Sequence, residues 1–156
     1  MNETSHDHPG VIAFPPFIGA GAVVLAGLLQ WIFPLSWPFP WCSRWVGVGV
    51  ALAGVACAAA ARREMSRVGT NVDPGKPTLA IATQGPYRVS RNPMYLSLAL
   101  FQLGVAIGAR WMWGIAMLVP YFAVIHWGVV LREEAYLTGK FGDTYRDYRA
   151  RVRRYL

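Results

Sequence analysis

Hydrophobic residues in this chain collect into four blocks that carry almost no charge. The blocks run from about Phe17 to Phe33, from about Trp45 to Ala61, from Met94 to Ala109 and from Trp111 to Leu131. A helix needs roughly 20 apolar residues to cross a bilayer, within a range of about 17–25. The fourth block meets this length easily, the first two meet it at the lower limit, and the third is short. We expect the third and fourth blocks to form a tight helical hairpin, because only a short turn around Arg110 separates them.

These blocks predict an all-α integral membrane bundle of four transmembrane helices, in one domain covering residues 1–156. A water-soluble bundle of apolar helices is the alternative, but charge-free runs of this length are rare in soluble folds. Hydrophobic residues make up 54% of the chain and charged residues only 15%. Because the hydrophobic excess is confined to blocks, the composition also favours a membrane protein.

The basic residues are distributed unevenly among the connecting segments. Of the 15 lysines and arginines, six lie between the second and third blocks and seven follow the fourth. Four spans place both regions on one side, which the positive-inside rule identifies as the cytoplasm, together with both termini. Orientation and contact with anionic lipid then account for the net charge of +7, so no nucleic acid partner is expected. Thirteen arginines against two lysines favour a GC-rich bacterial genome, and hence a bacterial cytoplasmic membrane.

The N-terminal tail offers no metal site of its own. His6 and His8 lack a third ligand nearby, so a solvated tail and no bound metal are expected. The tail also lacks the basic region of a cleaved signal peptide. Cys42 and Cys57 are too few for a disulfide framework.

The segment GPYRVSRNPMYLS, residues 85–97, joins a long polar loop to the third block. Pro93 suits the first turn of a helix, with Asn92 as its N-cap. One interpretation is a helix start and nothing more, with Arg91 on a lipid phosphate. The other is a ligand site, because a helix N-terminus offers free N–H groups to an anionic group and Arg91 adds a charged fork.

The segment after the fourth block, LREEAYLTGKFGDTYRDYRARVRRYL, is the second polar region. Glu133 and Glu134 stand at the membrane exit, either as an exposed acidic pair matched to arginines or as a site for a cation or for hydroxyl groups. Phe141 and Gly142 indicate a turn. The residues that then recur at helical spacing predict a basic amphipathic helix on the membrane face; they are Tyr145, Tyr148, Val152 and Tyr155.

Together, the two polar regions resemble the isoprenylcysteine carboxyl methyltransferases and the related phospholipid methyltransferases. In these integral membrane enzymes a Gly-x-Tyr, an Arg-His-Pro-x-Tyr and a Glu-Glu before Phe-Gly-x-x-Tyr recur in this order. The resemblance covers roughly Gly69 to Leu156. It implies a methyltransferase that uses S-adenosylmethionine, bound on the cytoplasmic side in a pocket roofed by the loop and the C-terminal segment.

The resemblance also implies roles for individual residues. Arg91, Glu134 and Arg132 are the candidates for catalysis. Glu133 can accept hydrogen bonds from hydroxyl or ammonium groups, and methyl transfer needs alignment and exclusion of water rather than a catalytic triad. The residues implied to contact the cofactor are Ala80, Ile81, Ala82, Tyr87, Asn92, Pro93, Met94, Tyr95 and Glu133.

The chain departs from the family at two places. Asn92 stands where the family has histidine, and Val129 stands where prenylcysteine enzymes have a substrate-binding arginine. Arg132 and His126 are the nearest polar residues, and His126 is expected to be a packed residue. We therefore expect a hydrophobic or lipid-like acceptor other than prenylcysteine, reacting through a carboxylate, an amine or a thiol. Two alternatives stay open: a nicotinamide-dependent membrane reductase related to sterol reductases, and a non-catalytic membrane adaptor.

Overall fold

The computed structural model describes residues 8–156, and the regular secondary structure of these residues is helical. Within these residues, extended pairing is limited to one bridge between Ser90 and Arg153, so the predicted all-α fold class is confirmed. His6 of the expected solvated tail lies outside the described residues. The five helices are α1 (Pro15–Ile32), α2 (Ser43–Arg67), α3 (Pro93–Ala109), α4 (Met112–Phe141) and α5 (Asp143–Arg151).

Three of these helices are long and apolar enough to cross a membrane. They are α1 with 18 residues, α2 with 25 and α4 with 30. The apolar helix α3 has 17 residues, a length of about 26 Å at 1.5 Å per residue. A hydrocarbon core is about 30 Å thick. The chain is therefore a membrane protein by its helices, and the fourth span stays a prediction.

Two helices extend beyond the apolar blocks from which they were predicted. α2 continues past Ala61 to Arg67, and α4 continues past Leu131 to Phe141. The added turns contain arginine, glutamate, methionine and leucine, which are favourable in helices. Hydrophobicity thus located the membrane-embedded parts but not the helix ends. The extension of α4 puts the acidic pair on a rigid helix rather than in a loop.

α2 and α3 pack backbone to backbone through glycines. A Cβ atom added at Gly47 would overlap the backbone of Gly108, and one added at Gly104 would overlap the backbone of Ala51. Small residues allow membrane helices to approach this closely and to gain van der Waals contact. The start of α3 is therefore held in a fixed position beside the end of α2.

The predicted hairpin between α3 and α4 is confirmed and turns at Arg110. This residue has a left-handed φ of 61°, the one positive φ outside glycine in the part of the chain described. Its Nη2 donates to the Trp41 carbonyl at 3.1 Å, and the Trp111 N–H donates to the Ala106 carbonyl at 2.8 Å. The hairpin brings the start of α3 next to the end of α4.

A π-helical turn, His126–Val130, interrupts α4 just before the acidic pair. The Gly128 carbonyl accepts a hydrogen bond from the Ile12 N–H at 3.3 Å. His126 Nδ1 and the Tyr155 hydroxyl are hydrogen-bonded at 2.9 Å, which agrees with a packed role for this histidine. The extra residue in the turn rotates the following helix face, and such turns are frequent near functional sites.

Candidate active site

Three segments that are far apart in sequence enclose a cavity of about 390 Å³ at one end of the bundle. They are the end of α2 with the loop that follows it, the start of α3, and the end of α4 with α5. The first turn of α1 and the segment before it complete the wall. The volume falls in the range of small-molecule sites, roughly 300–1,000 Å³. The cavity thus lies at the membrane exit, where the sequence placed its candidate site.

Eleven of the twelve residues that motif positions single out line this cavity. Arg132 is the exception: it is exposed, and its Nη1 donates to the Gly10 carbonyl at 2.9 Å. It joins the segment before α1 to α4 instead of facing the cavity. The lining residues are Ala80, Ile81, Ala82, Tyr87, Arg91, Asn92, Pro93, Met94, Tyr95, Glu133 and Glu134.

The loop wall is ordered by side-chain hydrogen bonds to its own backbone. Thr70 Oγ1 accepts from the N–H groups of Leu79 at 2.9 Å and Ala80 at 3.3 Å. Asn71 Nδ2 donates to the Pro77 carbonyl at 2.7 Å, and the Thr78 N–H donates to the Tyr136 hydroxyl of α4 at 3.2 Å. These bonds fix the stretch 78–82 against the cavity without regular secondary structure.

Asn92 precedes α3 as predicted, but its side chain does not cap the helix. Its Nδ2 donates to the Arg154 carbonyl at 3.0 Å, and its backbone N–H donates to Ser90 Oγ at 3.1 Å. The N-cap prediction for the side chain was therefore wrong, because the C-terminal segment offers a competing acceptor. Pro93 does occupy the first turn, as predicted.

Glu134 lies between two arginines at the edge of the cavity. Its Oε1 is 2.9 Å from Arg91 Nη1, and both side chains are only 7% exposed. Arg154 donates from Nε to Oε1 and from Nη2 to Oε2, each at 2.9 Å, and this hydrogen bonding raises the pKa of the Arg154 guanidinium. The three groups form a buried network that joins the start of α3, α4 and the C-terminal segment.

Glu133 has a different environment from its neighbour. The Tyr95 hydroxyl donates to its Oε1 at 2.6 Å. Tyr95 is itself positioned by Tyr121, whose hydroxyl donates to the Tyr95 carbonyl at 3.0 Å. One carboxylate of the pair is therefore hydrogen-bonded to a phenol inside the cavity, whereas the other is paired with two guanidinium groups.

Tyrosines of α5 form the remaining wall. The Tyr148 hydroxyl donates to the Tyr87 carbonyl at 2.7 Å, and the Tyr145 hydroxyl lies 3.5 Å from Arg91 Nη1. Burial raises the pKa of the Tyr87, Tyr145 and Tyr148 phenols above the ordinary value, so these groups stay neutral well above pH 7. The predicted amphipathic helix ends at Arg151, and its tyrosine face packs on the protein rather than on the membrane.

Sequence reasoning missed several contributors to the site. Tyr145 and Tyr148 were predicted on a membrane-facing helix face, but they line the cavity. Arg154 does not itself line the cavity, and nothing in the local pattern distinguished it from the other arginines of the C-terminal segment. Asp73 lines the cavity, and its Oδ1 accepts a hydrogen bond from the Gly75 N–H at 2.8 Å. The Asp-Pro-Gly sequence could have indicated this turn but not its position beside the cavity.

The cavity combines anion-binding and cation-binding groups within an apolar shell. Arg91 lines the cavity, and its buried Nε has no hydrogen-bond partner among residues 8–156, so this N–H is an unused donor within the cavity wall. The carboxylates of Glu133 and Asp73 offer acceptors. Such a site can hold a molecule that carries a carboxylate at one point and hydroxyl or cationic groups at another.

Comparisons with known proteins identify the family of the chain. The family described as phospholipid methyltransferase matches residues 42–144, well over half of the chain. An uncharacterized protein of Haemophilus influenzae is 42% identical over 65 residues, which is 40% of this chain and all of that protein. No solved structure matches. The family match confirms the resemblance seen in the motifs, and the chain belongs to the phospholipid methyltransferase family.

Proposed function

We propose that this member of the family transfers the methyl group of S-adenosylmethionine to a lipid-like acceptor at the membrane surface. Family membership makes the chain a membrane methyltransferase; the cofactor and the acceptor are the proposal. The observation that carries the proposal is that eleven of the twelve candidate site residues, from separate parts of the chain, line the same cavity.

The polar groups of the cavity fit the chemistry of this cofactor. The unused Nε donor of Arg91 suits the carboxylate of its amino-acid end. Glu133 suits ribose hydroxyls or the ammonium group, and the rings of Tyr87 and Tyr95 line the same space and suit a sulfonium cation. When bound, the cofactor supplies an electrophilic methyl group.

The task of the protein is then alignment and exclusion of water. Tyr95 holds the Glu133 carboxylate in place, and the Glu134 network holds Arg91, so both polar groups are preorganised. Apolar side chains such as Met65 exclude water around the reacting atoms. An acceptor carboxylate or thiolate needs no general base, whereas an amine must arrive deprotonated.

The side of the cavity that faces the bundle favours an acceptor from the bilayer. Pro15 and Pro16 of α1 and Leu98 of α3 belong to its wall. These residues lie on membrane-type helices, so a lipid can approach between α1 and α3 without leaving the hydrocarbon. This placement and the family description both support a lipid-like acceptor.

A radiolabel experiment tests the proposal. Membranes containing the protein are incubated with methyl-tritiated S-adenosylmethionine, and the lipids are extracted and counted. We expect tritiated lipid with wild type and strongly reduced label with Glu133→Gln at equal protein level. Release of the label by alkali as volatile methanol would identify a methyl ester, whereas label that stays in a non-volatile product would identify an amine or thiol acceptor. Absence of any lipid label that depends on the protein would contradict the proposal.

A further inference from the structure

Besides the cavity, a cleft of about 330 Å³ lies between α1 and α3. Pro16 and Leu98 line both spaces, so the cleft and the cavity are neighbours, and the cleft lies further along α1 and α3. Its other lining residues are small or aliphatic, with two exceptions on α3. These are Phe101 and Gln102.

Gln102 is the unusual member of this lining. It is 2% exposed, and neither its Nε2 nor its Oε1 has a hydrogen-bond partner among the described residues. The buried Ser97 on the same helix, by contrast, donates to the Met94 carbonyl at 2.6 Å. A buried amide without partners is destabilising, and the hydrocarbon region offers no water to satisfy it. The amide atoms are buried within the cleft wall, so a ligand group at this depth would remove the penalty once the Gln102 side chain turns toward it.

Gln102 lies on the same face of α3 as Tyr95, a residue of the cavity. Tyr95 and Gln102 are seven residues apart on α3, which puts them on the same face about 10 Å apart along the axis. Tyr95 contacts Glu133 in the cavity. A molecule that extends from the cavity into the cleft would therefore pass Gln102 about two helical turns from its reacting end.

We infer that the cleft holds a chain of the acceptor lipid and that the Gln102 amide binds the carbonyl linkage of that lipid. The inference rests on the proposed function and names a specificity-determining residue for it. An ester carbonyl can accept a hydrogen bond from Nε2. An amide linkage can in addition donate to Oε1 and so satisfies both atoms that the protein leaves unpaired. An ether linkage offers no carbonyl.

Three lipids with the same ethanolamine headgroup test this inference. They are dioleoyl phosphatidylethanolamine with ester linkages, its dialkyl ether analogue, and ceramide phosphoethanolamine with an amide linkage. Binding to the purified protein in detergent is measured by native mass spectrometry with S-adenosylmethionine present. We expect the ester lipid to bind about three- to tenfold more tightly than the ether lipid, the range of one neutral hydrogen bond, and the amide lipid at least as tightly.

Gln102→Leu should remove the preference among the three lipids, because leucine fits an apolar wall and offers no donor. Gln30→Leu is the matched control. Gln30 lies near the end of α1, donates to the Leu35 carbonyl at 2.9 Å, and lines neither the cavity nor the cleft. It should keep the wild-type preference. Equal binding of all three lipids to wild type, or an unchanged preference in Gln102→Leu, would overturn the inference. Titration with S-adenosylmethionine separates the two claims, because Gln102→Leu should bind the cofactor as wild type does.

Discussion

At the scale of single residues, the two adjacent glutamates of α4 have separate roles. Glu133 accepts a hydrogen bond from Tyr95 inside the cavity, and Glu134 is enclosed by Arg91 and Arg154. The sequence presents them as an equivalent pair. The structure indicates that Glu133 is free to meet a ligand, whereas Glu134 holds the elements around the cavity together.

We predict that replacing the two glutamates affects stability very differently. Glu134→Gln leaves two guanidinium groups without their carboxylate and should destabilise the fold by about 3–5 kcal/mol, as for other broken buried ion pairs. Glu133→Gln keeps an acceptor for Tyr95 and should change stability by about 1 kcal/mol or less. Denaturant unfolding in detergent measures both, with the exposed Asp147→Asn as control. Equal destabilisation by the two variants would contradict the separation of roles.

The sequence predicted most of the residues at the cavity but not their partners. Glu133, Tyr95 and Arg91 stand in motifs whose order is recognisable. The Arg154 contact was not predictable, because it depends on how the C-terminal segment crosses the start of α3. Arg132 was selected as a polar residue near Val129, where prenylcysteine enzymes have an arginine, yet it is exposed and donates to the Gly10 carbonyl outside the cavity.

At the scale of elements, the last five residues act as a strap over the start of α3. The Arg91 N–H donates to the Arg153 carbonyl at 2.9 Å, and Ser90 Oγ donates to the Arg154 carbonyl at 3.1 Å. The Arg154 side chain reaches back to Glu134. The strap therefore fixes the segment that carries Arg91 and Asn92.

We predict that Arg154→Gln loosens this strap. Loss of two hydrogen bonds to a charged group should destabilise the protein by about 1.5–3 kcal/mol and weaken S-adenosylmethionine binding through Arg91. Arg153→Gln is the neighbouring control, since its side chain is exposed and surface changes usually stay within about 0.5 kcal/mol. Unfolding and calorimetric titration measure the two effects. Indistinguishable behaviour of the two variants would show that the strap has no such role.

The glycine packing between α2 and α3 gives a second prediction for an element. Gly47→Ala should destabilise the protein by about 1–3 kcal/mol, because its Cβ would overlap the Gly108 backbone. Gly49→Ala, two residues along the same helix, meets nothing within 4 Å and should be neutral or slightly stabilising. Thermal unfolding in detergent checks the pair. A stable Gly47→Ala protein would mean that the two helices are less closely packed than described.

Element positions followed from hydrophobicity, and their ends did not. The blocks predicted α1 to within two residues at its start and located α3 and the hairpin turn. The π-helical turn and the end of α5 at Arg151 had no signal in periodicity. Both depend on tertiary contacts, such as the hydrogen bond between Tyr155 and His126.

At the scale of the whole molecule, three separate segments meet at one end of the bundle. The loop after α2 and the C-terminal segment are joined through Glu134, and the segment before α1 is joined to α4 through Arg132. We therefore predict that all three segments lie on the same side of the membrane. The excess of arginine in the first two predicts that this side is the cytoplasm.

Cysteine labelling in intact cells checks this orientation. In a Cys42→Ser background, cysteines at Lys76 and Arg146 should resist an impermeant thiol reagent and react only after the membrane is opened. The wild-type protein is the positive control, because it keeps the exposed Cys42 in the connection between α1 and α2. Strong labelling of intact cells at position 76 or 146 would reverse the proposed orientation.

A calorimetric titration of the purified protein tests most directly whether the cavity binds S-adenosylmethionine. NADPH serves as the comparison. The cavity is proposed to bind the first through Glu133 and Arg91, and a membrane reductase would bind the second. We predict saturable binding of S-adenosylmethionine, no binding of NADPH, and a loss of about 1.5–3 kcal/mol of binding free energy in Glu133→Gln. Binding of NADPH alone, or of neither molecule, would contradict the account, as would equal affinity of wild type and Glu133→Gln for S-adenosylmethionine.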